Sequence, residues 1–250
     1  MKNTAIEQDA AVLKENLDRI ETQIAAACRE AGRPRGEVAL MAVSKMHPAS
    51  AIIAAEGLGV RLFGENRVQE FQEKSALLSL AHGKPGQAGA EFHLIGHLQS
   101  NKAARAAELF ASVDTLDSVA LAERLDQAAG RLGRRLRVLI EIKLSPEESK
   151  AGLVPESDEL SGLLERLPDL AGLEMRGLMM VPPFLEDAAA VRPYFRELRV
   201  LRDRLAAAHT RLSFGELSMG MSHDFPVAID EGATQVRIGT ALFGARDYSR

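Results

Sequence analysis

Hydrophobic positions near the start of the chain recur at helical spacing. Apolar residues three or four positions apart fall on one face of a helix, and glycine and proline end such a pattern. The apolar face of this helix consists of Leu13, Leu17, Ile20 and Ile24, and Gly32 follows the pattern. The pattern predicts an N-terminal helix within residues 1–33.

After this helix, short apolar runs alternate with stretches of helical periodicity. The eight runs are VALMAV, GVRLF, FHLIG, ASVDTL, RVLIEI, MRGLMMV, GELSM and TQVRIG. Strands that are apolar on both faces and alternate with helices indicate a parallel sheet covered by helices. Eight such strands favour a closed barrel over an open sheet. We therefore predict an α/β protein, with one (β/α)8 barrel of the TIM type behind the N-terminal helix, as a single domain over residues 1–250.

Composition and charge narrow the class of protein. Hydrophobic residues make up 46% of the 250 residues, and the formal net charge is −4. Lys and Arg are mixed with Asp and Glu, so we predict no surface for nucleic acid or a membrane. The N-terminus lacks a secretion signal, and no apolar run has the length of a membrane span. We expect a cytoplasmic protein. Its one cysteine, Cys28, should lie on the buried face of a helix.

Polar or glycine-bearing sequences follow nearly every predicted strand, at the end that forms the functional face of such barrels. Lys45 follows the first strand, and Asn66 ends the GEN segment after the second. A desolvated lysine at the rim can lose its proton and attack a carbonyl to form an imine. The alternative is an ordinary solvated lysine. Asn66 can contact a ligand or cap the turn.

The loops after the seventh and eighth predicted strands carry the strongest local signal. Gly239 and Thr240 open a helix, where free backbone N–H groups favour a phosphate. Ser218 and Ser222 offer hydroxyl groups in the preceding segment. Capping of the helix is the alternative for Thr240 alone. Taken together, the two loops predict a phosphate site.

Arg237 lies in the middle of the eighth apolar run. A buried arginine costs free energy unless a partner compensates its charge. It can pair with a carboxylate or donate a hydrogen bond to the nitrogen of a pyridine ring. His93 and His97 are four residues apart, a spacing that suits a helix and not a strand, so we predict no metal site.

Several segments together resemble the pyridoxal phosphate homeostasis protein family. They are AVSK, FGEN, FHLIGHLQSNK, EESKAG, GLMMVP, LSMGMSHD and VRIGTALFGARDYS. The resemblance runs in order from about Val38 to the C-terminus. It implies an alanine-racemase-like barrel that holds pyridoxal 5′-phosphate (PLP) as a Schiff base on Lys45.

The resemblance also implies the other cofactor contacts. Phosphate contacts fall on Ser218, Gly239 and Thr240, and Arg237 faces the pyridine nitrogen. One departure is visible, because EIK stands where the family usually has QVN or QIN. Lys143 therefore replaces an asparagine. The resemblance then no longer implies a cofactor contact near the fifth strand, and a second lysine lies at the rim.

The family is described as binding and buffering PLP without an assigned catalytic activity. An arginine that faces the ring keeps the pyridine unprotonated and makes it a weak electron sink. The two tyrosines are Tyr194 and Tyr248, and we expect no second domain to supply an opposing base. We therefore expect a monomeric PLP carrier that serves PLP-requiring apoenzymes without turnover. A PLP-dependent amino-acid racemase or lyase and a cofactor-free Schiff-base aldolase are the alternatives.

Overall fold

Eight parallel strands close into a barrel at the centre of the protein. The structure is a computed structural model that describes residues 2–82, 89–145, 147 and 151–244. Each strand pairs with its neighbours in chain order, and the last strand pairs with the first. The strands are β1 (Ala39–Val43), β2 (Leu62–Glu65), β3 (Glu91–Leu94), β4 (Ser112–Leu116), β5 (Leu136–Glu141), β6 (Leu173–Met179), β7 (Glu216–Met221) and β8 (Gln235–Ile238).

Helices connect the strands and pack on the outside of the barrel. Within the described residues they are α1 (Lys2–Glu30), α2 (Ala49–Gly57), α3 (Val68–His82), α4 (Ala103–Leu109), α5 (Val119–Arg131), α6 (Asp158–Arg166), α7 (Arg192–Ala208), α8 (Phe225–Asp230) and α9 (Thr240–Phe243). None of these described helices is both long and apolar enough to cross a membrane.

Burial on both faces explains the continuous apolar runs. Every residue of β4 and of β8 is buried. One face of each strand points into the barrel and the other packs against helices, so neither face has to be polar. The predicted α/β class and the (β/α)8 barrel behind an N-terminal helix are confirmed.

Helix α1 packs on the outside of the barrel, against α8 and α9. Its buried residues include Leu13, Leu17, Ile20, Ile24 and Cys28. Just beyond the helix, Arg33 Nη1 donates to the carbonyl oxygens of Ile229 and Ala233 at 2.8 and 2.9 Å. Asn16 Nδ2 donates to Leu242 O at 3.0 Å. The start of the chain therefore contacts the segments on both sides of β8.

Gly177 allows β6 and β7 to approach each other closely. A Cβ atom at this position would lie 1.8 Å from Glu216 O, which is a backbone atom and cannot turn away. We expect Gly177→Ala to lower the free energy of unfolding by about 3 kcal/mol or more, because strands must separate to admit the methyl group. Urea unfolding measures the effect.

Gly162→Ala is the matched control, because Gly162 lies in α6 with open space around its missing side chain. There the alanine should be neutral or stabilise by up to about 1 kcal/mol. Equal stability of the two variants would show that the β6–β7 contact is not as tight as described.

Candidate functional site

Three of the predicted site segments lie side by side at the C-terminal rim of the barrel. Lys45 follows β1, Asn66 follows β2, and Gly239 follows β8. Because β1 pairs with both β2 and β8, these three loops are neighbours. The side chain of Lys45 is partly buried. The structure therefore places the loop that contains Lys45 next to both candidate contact loops.

The loop after β7 meets the beginning of α9. Ser222 Oγ accepts a hydrogen bond from the backbone N–H of Ala241 at 3.5 Å, the outer limit of such a bond. Gly220 has a φ of 92°, and a Cβ there would lie 2.6 Å from Ala228 Cβ. A glycine is therefore required where this chain turns towards Gly239 and Thr240.

Ser218 lies deeper than this loop, inside β7, and is completely buried. Its Oγ accepts hydrogen bonds from Gln235 Nε2 and Arg237 Nη1, both at 2.8 Å. Of the two hydroxyl groups considered in this segment, Ser222 is the one at the beginning of α9. The phosphate contact implied for Ser218 stays a prediction, and its observed role is to hold Arg237.

Arg237 is buried in β8, and its charge is compensated. Nη1 donates to Ser218 Oγ at 2.8 Å, and Nη2 donates to Met180 O at 2.7 Å. Burial lowers the pKa of the guanidinium, while the charges of Asp114, Asp224 and Glu141 act in the opposite direction. An arginine with these partners keeps its proton.

A chain of polar side chains continues from Arg237 through the barrel interior. Gln235 Nε2, which donates to Ser218, also lies 3.4 Å from Asp114 Oδ2. His93 Nδ1 is 3.0 Å from the same oxygen, and Ser112 Oγ donates to Asp114 Oδ1 at 2.6 Å. His93 thus has a carboxylate partner. Among the described residues, no group of three or more potential metal ligands is present.

The environment of Asp114 favours its ionised form. Burial alone raises the pKa of this carboxyl, but the charge and hydrogen bond of His93 and the hydroxyl of Ser112 lower the pKa below its ordinary value. A carboxylate is therefore held inside the barrel near Arg237. Sequence reasoning missed Asp114 and Gln235, although each is a polar residue within a run treated as apolar.

Glu141 ends β5, on the far side of the barrel from β1. It is 7% exposed, and its Oε2 is buried without a hydrogen-bond partner. Burial and the charge of Asp117 raise the pKa of Glu141 from 4.5 to about 7, against the opposing effects of Arg237 and His97. A buried carboxyl that titrates near neutrality is typical of functional sites.

The remaining candidates lie away from this group or outside the described residues. Lys143 is partly buried after β5, where its N–H donates to Leu153 O at 2.9 Å. Tyr194 lies in the first turn of α7, on the outside of the barrel. Residues 148–150 of the EESKAG segment and Tyr248 lie outside the described residues.

Comparison with known proteins identifies the family. The family model of the alanine racemase N-terminal domain matches residues 16–247. A pyridoxal phosphate homeostasis protein of Aquifex aeolicus is 42% identical over 234 residues, which cover 94% of this chain and 98% of the relative. The chain belongs to the pyridoxal phosphate homeostasis protein family. The resemblance that the motifs indicated is thereby confirmed.

Solved structures agree with this assignment to the pyridoxal phosphate homeostasis protein family. PipY of Synechococcus elongatus, solved with PLP bound, has a TM-score of 0.81 and 41% identity, covering 93% of this chain and 100% of PipY. An alanine racemase of Streptomyces coelicolor has a TM-score of 0.68 and 20% identity. It covers 94% of this chain and 58% of the racemase, and this similarity shows the fold alone.

The raised pKa of Glu141 makes folding stability depend on pH. Between pH 4.5 and about 7 the unfolded chain has lost this proton and the folded chain retains it. Stability therefore falls as pH rises through this window. Glu141→Gln should remove this part of the decline, and at pH 8 it should be more stable than wild type by on the order of 2 kcal/mol.

Urea unfolding at pH 5 and pH 8 measures this difference. The exposed Glu159→Gln is the matched control, which should follow the wild-type pH profile. A Glu141→Gln profile that is parallel to wild type would contradict the raised pKa.

Proposed function

We propose that this chain binds PLP at the C-terminal mouth of its barrel, through a Schiff base on Lys45, and takes part in PLP homeostasis without catalytic turnover. The proposal is supported by family membership and by the PLP-bound structure of PipY at 41% identity. We infer that the protein acts as a monomeric carrier and that its recipients are PLP-requiring apoenzymes.

The residues at the barrel mouth fit this cofactor. Asn66 Oδ1 is buried and has no hydrogen-bond partner, so it is an acceptor that a ligand donor can satisfy. The meeting point of Ser222 with the first amides of α9 suits a phosphate. Gly239 and Thr240 lie at this point, and Lys45 is in the neighbouring loop.

The observation that carries the non-catalytic part of the proposal is the compensated burial of Arg237. PLP supplies an aldehyde that condenses with an amine and a pyridine ring that withdraws electrons when protonated. Arg237 has no proton-accepting atom and keeps its own proton, so it can only donate a hydrogen bond to a ring nitrogen. Ser218 and the Met180 carbonyl fix the direction of that donor. This arrangement favours holding the cofactor over using it as an electron sink.

Lys45→Ala tests the assignment of the amine. We expect the variant to lose the visible absorbance of bound PLP and the adduct that borohydride traps, because the proposed Schiff base needs the amine of Lys45. Peptide mapping of the reduced protein locates the adduct. The exposed Lys14→Met variant is the control and should be labelled like wild type at Lys45. Full labelling of Lys45→Ala on another residue would overturn the assignment.

Glu141 favours a second candidate, a PLP-dependent racemase or other enzyme that moves protons on amino acids. Its carboxyl has a pKa of about 7 and lies on the strand opposite β1, which is where an acid–base group complementary to Lys45 would be needed. We expect wild type to exchange the α-deuterium of labelled amino acids no faster than Lys45→Ala. Rapid exchange that Glu141→Gln abolishes would establish the enzyme instead.

A further inference from the structure

A largely buried cluster of charged side chains contacts the backbone on both sides of Lys45. It consists of Glu65 at the end of β2 with Glu70 and Lys74 of α3, and we call it the α3 charge cluster. Glu65 is completely buried and Lys74 is 7% exposed. Charges that are held away from water cost free energy, and the function proposed above does not use them.

The side-chain nitrogen of Lys74 contacts three oxygen atoms. Its Nζ lies 2.8 Å from Ser44 O, 2.8 Å from Glu65 Oε1 and 2.6 Å from Glu70 Oε1. An ammonium group has three protons, and here it has three oxygen acceptors. All three donor positions of the Lys74 side chain therefore have acceptors within the cluster.

Two of these oxygen contacts fix the residue before Lys45. Ser44 O accepts from Lys74, and Ser44 Oγ donates to Glu65 Oε1 at 2.7 Å. The N–H of Ser44 donates to Gly64 O at 3.0 Å in the β1–β2 ladder. Ser44 is thus held through its N–H, its carbonyl and its hydroxyl.

The residue after Lys45 is held by the same cluster. Met46 has a φ of 63°, a left-handed conformation that residues with a side chain rarely adopt. Its N–H donates to Glu70 Oε1, the oxygen that also contacts Lys74. A conformation of this kind persists where the surroundings enforce it, and such positions concentrate at functional sites.

We propose that Lys74 is a positioning residue for Lys45, acting through Ser44 and through Glu70 and Met46 to present the Lys45 amine to the aldehyde of PLP. The proposal rests on the PLP-binding function proposed above. It assigns α3 a role in formation of the covalent link and none in the contacts to phosphate or ring, which lie on β7, β8 and α9.

The test compares two ligands that differ in the reactive group. PLP has the aldehyde, whereas pyridoxamine 5′-phosphate has the same phosphate and ring with an amine in its place. We expect Lys74→Met to lower the affinity for PLP, measured as borohydride-trapped adduct on Lys45, by about tenfold, as expected for lost charged hydrogen bonds. The affinity for pyridoxamine 5′-phosphate, measured by calorimetry, should change by less than about twofold.

The outcomes separate positioning from a general structural role. Equal losses for both ligands, or no loss for PLP, would overturn the proposal. Lys14→Met is the control and should bind both ligands like wild type, because Lys14 is exposed on α1. Wild-type protein that takes up neither ligand would contradict the proposed function itself, independently of Lys74.

Glu70→Gln keeps the test decisive if Lys74→Met does not fold. The amide keeps an acceptor for the N–H of Met46 but removes the charge that contacts Lys74. We expect a smaller loss of PLP affinity, about threefold, again without a loss for pyridoxamine 5′-phosphate. Unchanged PLP affinity in this folded variant would overturn the proposal.

Discussion

The buried guanidinium of Arg237 is the constraint on which the interior of this barrel depends. A charge at an inward strand position would be strongly unfavourable without partners, so the neighbouring strands supply polar atoms instead of a purely apolar core. Ser218 and Met180 O accept its hydrogen bonds, and Asp114 balances its charge. Asp114 in turn requires His93. The polar groups that accompany this one cation thus lie on several strands.

Separate charge networks lie near the two parts of the proposed cofactor, the pyridine ring and the aldehyde that would react with Lys45. The network of Arg237 runs through β7, β8, β3 and β4, while the α3 charge cluster contacts only the loop after β1 and the end of β2. Strand β1 lies between them, since it pairs with both β2 and β8. In the proposed binding mode, the ring contacts and the covalent anchor would therefore depend on different hydrogen-bond networks. Such a division lets a carrier weaken one attachment without losing the other.

The sequence was sufficient for the fold and for the rim positions, but not for the interior. Apolar runs without a regular polar alternation predicted all eight strands, because both faces of each strand are buried. The strand ends were harder to predict: β7 continues to Met221, two residues beyond the predicted GELSM, and Ser222 therefore directly follows the strand. The sequence did not indicate Asp114, because a strand that is buried on both faces lacks the alternation of polar and apolar residues that would mark its inward face. From the sequence, Lys74 resembles an ordinary solvated lysine on a helix. Only the structure shows its acceptors, which are Ser44 O and the carboxylates of Glu65 and Glu70.

Glu141 shows how a departure from the family pattern can change charge more than shape. It stands first in EIK, where the resemblance described above implies a QVN or QIN triplet with an amide of nearly the same size. A protonated carboxyl resembles that amide, since it has one donor and one acceptor. An ionised carboxyl adds a negative charge to a site that already contains Asp117 and faces Arg237. With a pKa of about 7, both forms are populated near neutrality. The charge at this end of β5, near Arg237, is therefore set in part by the protonation of Glu141.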